Sequence, residues 1–152
     1  MQRLGANNSI TFVMRKFQFI LIVVALAACG KKSDSTENEI TAGSIISETI
    51  TTGEFQKLLE TTPNAVILDV RTPEEVGDGY IDGAINIDVR AADFETRIQA
   101  LDKSSTYLVY CASGGRSRKA ADLMKEHKFV KVYNLDGGLA AWNAQGLPVQ
   151  KP

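Results

Sequence analysis

A continuous run of apolar residues that holds a single carboxylate, residues 65–70, most constrains the fold of this chain. Strands buried on both faces lack the alternation of half-exposed strands, and they are typical of parallel sheets. Residues 106–110 and 130–135 are also rich in β-forming side chains, and helix-like patterns separate all three segments. The sequence therefore predicts an α/β domain with a mostly parallel sheet.

Two capping boxes predict where the first helices begin. Thr51 and Glu54 have the spacing at which a hydroxyl and a carboxylate each accept a backbone N–H of the other residue. Thr72 and Glu75 have the same spacing, and Pro73 stands at the first helical position, which proline favours. The main role expected for Glu75 is therefore to cap a helix.

Shorter patterns predict the remaining elements. Residues 84–87 are expected to form a short strand. Trp142 has helical spacing from Leu139 and is expected in the core. Helix-like patterns cover three further stretches, which are residues 94–101, 117–127 and 137–146.

The charge balance excludes one class of function. The chain of 152 residues carries 17 Lys and Arg against 18 Asp and Glu, a formal net charge of −1. Nucleic-acid-binding domains normally carry a basic excess, so we expect no nucleic-acid partner. The length allows one domain with a full core.

The N-terminus has the pattern of a secretory signal peptide. Arg15 and Lys16 precede an apolar stretch over residues 17–28. This stretch is too short for a transmembrane helix, which needs about 20 residues, but it suits a signal peptide. Met14 stands directly before the two basic residues, which favours a start there, and a start at Met1 is the alternative.

The signal ends in Leu26-Ala27-Ala28-Cys29. This tetrapeptide resembles the lipobox of bacterial lipoproteins, in which the cysteine receives a diacylglycerol group and becomes the mature N-terminus. The resemblance implies a lipid anchor at Cys29, stable membrane attachment and a periplasmic location in the bacterial cell envelope. An ordinary secretory signal that happens to contain a cysteine is the alternative.

These patterns divide the chain into three parts. Residues 1–28 are expected to form the lipoprotein signal peptide. Residues 29–44 begin with the lipidated cysteine and continue as a polar, flexible tether. Residues 45–150 are expected to form the folded domain.

Cys111 carries the clearest chemical signal. If Cys29 is lipidated, Cys111 is the only thiol of the mature chain, so it has no partner for a disulfide or for dithiol redox chemistry. A free cysteine is usually a small core residue. Cys111, however, follows a predicted strand, as does Asp69, and ligand sites of parallel sheets lie beyond the carboxyl ends of strands. This position favours a reactive cysteine.

The residues after Cys111 can wrap the backbone around its sulfur. Gly114 and Gly115 can adopt angles closed to other residues, which turns successive N–H groups toward one point. The helix expected from Ser117 adds the positive end of its dipole. Such surroundings favour the thiolate, which is the nucleophile. His127, the only histidine, is expected at a helix C-terminus rather than as a base, which argues against a papain-like hydrolase.

Four motifs follow one another along the chain: LDVRTPEE at residues 68–75, GYIDGAINI at 79–87, YCASGGRSRKA at 110–120 and VYNLDGG at 132–138. Together they resemble the successive motifs of a single-domain rhodanese, over about residues 45–150. The resemblance implies a rhodanese-like α/β fold, with a central five-stranded, mostly parallel sheet flanked by helices.

The resemblance also implies a sulfurtransferase in which Cys111 carries sulfane sulfur. Its thiolate would take sulfur from thiosulfate or a similar donor, and a thiol or cyanide-like acceptor would remove it from the persulfide. No cofactor and no metal site are expected. The alternative is a non-enzymatic, membrane-tethered persulfide carrier or a partner-binding module. The backbone N–H groups that would hold the anionic sulfur belong to Ala112, Ser113, Gly114, Gly115, Arg116 and Ser117.

Loop length distinguishes this pattern from related phosphatases. Cys111 and Arg116 form C-x4-R, whereas the dual-specificity phosphatases and arsenate reductases of this fold resemble C-x5-R. The shorter loop makes a tighter pocket, which suits one sulfur atom better than a phosphate-sized anion.

Three charged residues have open roles at this stage. Asp69 either holds the loop, by accepting its N–H groups or pairing with an arginine, or stabilises the end of a strand. Arg71 either attracts an anionic donor at the pocket rim or pairs with Glu75. Arg116 points either into solvent near the donor or behind the loop toward Asp69.

Overall fold

A five-stranded parallel sheet forms the centre of the domain. The computed structural model describes residues 44–152. The predicted signal peptide, Met14, Cys29 and the tether up to residue 43 lie outside the described residues. The strands are β1 (Ile46–Ile50), β2 (Val66–Asp69), β3 (Ile85–Asn86), β4 (Thr106–Tyr110) and β5 (Lys131–Leu135). Their order is β1-β5-β4-β2-β3 and every pairing is parallel, which confirms the predicted fold class.

Five helices connect and cover the strands. Both capping boxes are present, because the Thr51 and Thr72 hydroxyls accept from Glu54 and Glu75, whose carboxylates accept in return. His127 caps the C-terminus of the fourth helix, as predicted. That helix begins at Gly115, before the expected Ser117. The helices are α1 (Thr52–Thr61), α2 (Pro73–Gly77), α3 (Phe94–Gln99), α4 (Gly115–Glu126) and α5 (Gly138–Ala144).

The core has one apolar cluster on each face of the sheet. Leu108 and Val109 are neighbours on β4, yet they belong to different clusters, because successive side chains of a strand point to opposite faces. Burial of both faces explains the unbroken apolar pattern of β4. Trp142 is buried against Phe55, with ring centroids 6.1 Å apart in an edge-to-face arrangement. The predicted core position of Trp142 is confirmed.

Within residues 44–152, no helix combines the length and the apolar character that crossing a bilayer requires.

The strand order determines which loops meet. β4 lies between β2 and β5, so the segments that follow these three strands converge at the carboxyl edge of the sheet. Cys111 follows β4, Arg71 lies just after β2, and the Gly137-Gly138 pair lies just after β5.

Candidate active site

The Cys111 sulfur lies at the N-terminal end of α4, inside the loop that joins β4 to α4. The residue is only 1 % exposed. The Gly114 N–H donates to Sγ at 3.2 Å, and the Ser117 hydroxyl donates to it at 3.5 Å. Of the loop residues that were expected to hold the sulfur, Gly114 and Ser117 therefore contact it directly.

These donors act on the pKa of the cysteine. Burial raises the pKa of the Cys111 thiol, but hydrogen bonds from the Ser117 hydroxyl and from the backbone N–H groups of Ser117, Ser113 and Arg116 oppose this effect. Together they leave the pKa below its ordinary value. A lower pKa increases the share of thiolate, which is the nucleophilic form.

The Ser117 side chain contributes more than sequence reasoning assigned to it. From the sequence, only backbone N–H groups were expected to donate hydrogen bonds to the sulfur. The Ser117 hydroxyl is itself a donor to Sγ and also lies 3.1 Å from the Gly114 carbonyl oxygen. Ser117 is fully buried in the first turn of α4. The sequence did contain a signal for this role. Ser117 is a small hydroxyl residue in the first turn of the helix that follows a cysteine at the end of a strand.

Only one of the two loop glycines has the expected unusual backbone. Gly114 has a φ of +88°, and a Cβ there would lie 3.1 Å from both the Leu135 carbonyl oxygen and the Gly137 nitrogen. Gly115 is instead the first residue of α4, and its φ is not positive. Gly114 alone therefore turns the chain from β4 into the helix.

A second glycine pair supports the loop from behind. Gly138 has a φ of +57°, and a Cβ there would overlap the Cys111 carbonyl oxygen and lie 2.7 Å from the Gly114 nitrogen. The next two N–H groups, of Leu139 and Ala140, donate to the carbonyl oxygens of Cys111 and Ala112 at 2.8 and 3.0 Å. The start of α5 thus holds the cysteine loop, a contact that the sequence did not predict because the two segments lie far apart in the chain.

Arg71 has neither of its two expected roles. It is 3 % exposed and lies away from solvent, and its guanidinium contacts both carboxylate oxygens of Asp69, at 2.5 Å in the shortest contact. Its remaining donors reach the backbone carbonyl oxygens of Glu75 and Gly79 at 2.9 and 2.7 Å. A buried charge needs a buried partner and satisfied donors, which explains this arrangement. Of the interactions considered for Asp69, pairing with an arginine is observed, and Asp69 also accepts the Arg71 N–H at 2.9 Å at the end of β2, which fits the strand-end role.

Arg116 pairs with Glu75, an outcome that was not among those expected for it. Its Nη1 and Nη2 donate to the two carboxylate oxygens of Glu75 at 2.7 and 2.5 Å. The hydrogen bonds from Arg116 are the main reason why the pKa of Glu75 is lowered to about 2. Glu75 raises the pKa of Arg116 in turn, and Cys111 adds to this effect because the guanidinium lies close to its sulfur.

Comparison of the chain with models of known protein families identifies the family of this domain. Residues 51–145 match the family model of the Rhodanese-like domain. The chain belongs to the rhodanese-like family. The expected resemblance is thereby confirmed for the domain.

Relatives of this chain include sulfurtransferases. One from Allochromatium vinosum is 32 % identical over 94 residues, which cover 62 % of this chain and 86 % of that protein. The thiosulfate sulfurtransferase GlpE from Pseudomonas entomophila is 34 % identical over 90 residues, which cover 59 % and 80 %. The crystal structure of a rhodanese-related protein from Thermoplasma volcanium has a TM-score of 0.61 and 27 % identity, covering 69 % of this chain and 99 % of that one. Sulfur transfer is the general activity that these relatives support.

Proposed function

We propose that this rhodanese moves sulfane sulfur from thiosulfate or a similar donor to a thiophilic acceptor through a persulfide on Cys111. The observation that carries the proposal is the position of Sγ within a ring of hydrogen-bond donors, which lowers the pKa of the thiol despite its burial. Such surroundings suit a nucleophile that alternates between thiolate and persulfide anion.

In the first half-reaction the Cys111 thiolate attacks the outer sulfur of thiosulfate. A bond forms between Sγ and that sulfur, and the sulfur–sulfur bond of the donor breaks, with its electron pair leaving on sulfite. The new terminal sulfur carries the negative charge. Backbone N–H groups of residues 112–117 and the N-terminal end of α4 stabilise this anion.

In the second half-reaction an acceptor thiolate or cyanide attacks the outer sulfur. The electron pair of the breaking bond returns to Sγ, and a sulfur with a lowered pKa is the better leaving group. The donors that hold the resting thiolate therefore also promote its release. Both steps are two-electron substitutions at sulfur.

Two observations support a thiosulfate-like donor over a phosphate ester. The C-x4-R loop closes tightly, since Gly114 packs against Leu135 and Gly137 and leaves Cys111 almost fully buried. A relative named for thiosulfate sulfurtransfer matches more than half of the chain.

The test compares the purified protein with its Cys111→Ser variant. Both are incubated with thiosulfate, weighed intact by mass spectrometry, and then treated with cyanide while thiocyanate is measured. We expect one added sulfur atom on the wild type alone, and many turnovers of thiocyanate. A persulfide that forms but does not turn over would favour the carrier function, and no uptake from thiosulfate or an organic persulfide would contradict the proposal.

We also propose that Cys29 carries a lipid that anchors the protein to a membrane of the bacterial envelope, with the rhodanese domain on the periplasmic side. The proposal rests on the signal pattern of residues 15–28 and the lipobox-like tetrapeptide before Cys29. Cells that express the wild type should incorporate labelled fatty acid into the protein and retain it in the membrane fraction, and Cys29→Ser should abolish both. Label on the Cys29→Ser variant would contradict this.

A further inference from the structure

The cysteine loop contains a single basic side chain, and that side chain is already paired. Between Cys111 and Ser117 the sequence holds only Arg116. Both terminal nitrogens of its guanidinium are engaged by the Glu75 carboxylate, at 2.7 and 2.5 Å. The pair is partly accessible to solvent, with side-chain exposures of 22 % for Arg116 and 33 % for Glu75.

The buried guanidinium of Arg71 is not available to a donor either. Arg71 is buried, and Asp69 balances its charge. Arg71 and Arg116, on either side of the cysteine loop, therefore both lie in neutral pairs, whereas Arg118 is exposed on α4 directly after the loop. Glu75 stays ionised at neutral pH because its pKa is about 2.

This arrangement affects different sulfur donors differently. Thiosulfate is a dianion and releases dianionic sulfite, so unpaired positive charge favours both its approach and its reaction. An organic hydropersulfide has its charge, if any, on the outer sulfur, which the loop N–H groups receive. For that donor the thiolate bonds to the outer sulfur, and the sulfur–sulfur bond breaks with its electron pair on the organic thiolate.

We propose that Glu75 determines donor specificity by occupying Arg116, so that the pocket favours organic persulfides over thiosulfate. This inference rests on the function proposed above. Glu75 does not touch the reacting sulfur in this role, because it acts through the guanidinium.

Glu75 also caps α2, and the test must separate this role from the proposed one. Its carboxylate accepts the Thr72 N–H at 3.2 Å. Glutamine is accepted at this position of a capping box, so Glu75→Gln keeps the cap and removes the charge. Glu74→Gln is the matched control, because Glu74 is the exposed neighbour on the same helix and its removal changes the net charge equally.

The experiment measures kcat/KM of the full chain for thiosulfate and for the hydropersulfide of 2-mercaptoethanol, with cyanide as acceptor. In Glu75→Gln, kcat/KM for thiosulfate should rise roughly tenfold, as expected for one charge acting over a few ångströms at a partly exposed site. The value for the hydropersulfide should stay within about twofold, as should both values in Glu74→Gln. The wild type should prefer the hydropersulfide.

Several results would overturn the inference. One is a wild type that prefers thiosulfate, which needs no variant to fold. Another is a Glu75→Gln protein that turns over both donors but has the same ratio of kcat/KM values as Glu74→Gln. A wild type that takes up sulfur from neither donor would instead remove the proposed function itself, and the specificity with it.

Discussion

At the scale of single residues, the buried Ser117 hydroxyl donates to the Cys111 sulfur. Ser117→Ala removes this hydrogen bond while keeping a small side chain in the buried site, so the pKa of Cys111 should rise. Because the thiolate is the reactive form, activity grows as pH rises through this pKa. The acidic limb of the kcat/KM profile should therefore move to higher pH.

Thiolate absorbance in the ultraviolet, titrated against Cys111→Ser as a blank, measures the same shift directly. Ser113→Ala is the matched comparison, because the Ser113 side chain is exposed and this residue acts on the sulfur through its backbone N–H. Its titration should coincide with that of the wild type. A Ser117→Ala titration that also coincides would show that the backbone alone sets the pKa.

Residue spacing predicted the cysteine loop but not the ion pairs around it. Cys111 and its glycines are close in sequence, so their geometry follows from local backbone rules. Arg116 and Glu75 are 41 positions apart, and only the folded sheet brings them together. Arg71 and Asp69 are close in sequence, but their pairing depends on which side chain turns inward and is buried, which spacing does not specify.

At the scale of elements, the start of α5 acts as a clasp on the cysteine loop. Gly138→Ala should destabilise the fold by roughly 3 kcal/mol and strongly reduce sulfur transfer, because the new Cβ meets the Cys111 carbonyl and the backbone has a positive φ. Urea unfolding and thiocyanate turnover measure the two effects.

The control for this prediction is Gly53→Ala. Gly53 lies in α1 with no atom within 4 Å of an added Cβ, so this change should stabilise the protein by up to about 1 kcal/mol. A Gly138→Ala protein with wild-type stability and turnover would mean that the clasp does not hold the loop.

The starts of the helices α1 and α2 were easier to predict than the short edge strand β1. The capping boxes located α1 and α2, because each is a short-range exchange of hydrogen bonds. β1 was not predicted, since it is a short edge strand whose only fully buried residue is Ile50. The early start of α4 depends on the positive φ of Gly114, which sequence allows but does not require.

At the scale of the whole molecule, the pair of Glu75 and Arg116 makes stability depend on pH. The pKa of Glu75 is lowered from 4.5 to about 2, so its contribution is fully present above 4.5 and is lost as pH falls through 2. The free energy of unfolding should fall less steeply in Glu75→Gln than in the wild type over this range.

Urea unfolding at a series of pH values checks this prediction. Arg116→Gln removes the other partner and should flatten the same part of the curve. Other carboxyls with lowered pKa values, such as Glu54 and Asp102, remain in all three proteins and cancel in the comparison. Parallel curves for the three proteins would contradict the prediction.

The fold class as a whole was predictable, because buried parallel strands alternate with helices along the chain. The order of the strands was not derivable from those patterns, and the family resemblance implied only a five-stranded, mostly parallel sheet. Pattern reveals which segments are buried, whereas order depends on how the segments pack against each other.

The strand order affects when the domain can fold during synthesis of the chain. The first strand, β1, pairs with the last, β5, so that Ile46 lies beside Lys131 and the sheet cannot close until almost the whole chain is available. The clasp on the Cys111 loop comes later still, at Gly138. We therefore expect a partly synthesised chain to lack the hydrogen bonds that lower the pKa of this thiol. The proposed sulfur transfer would then begin only when the domain has folded.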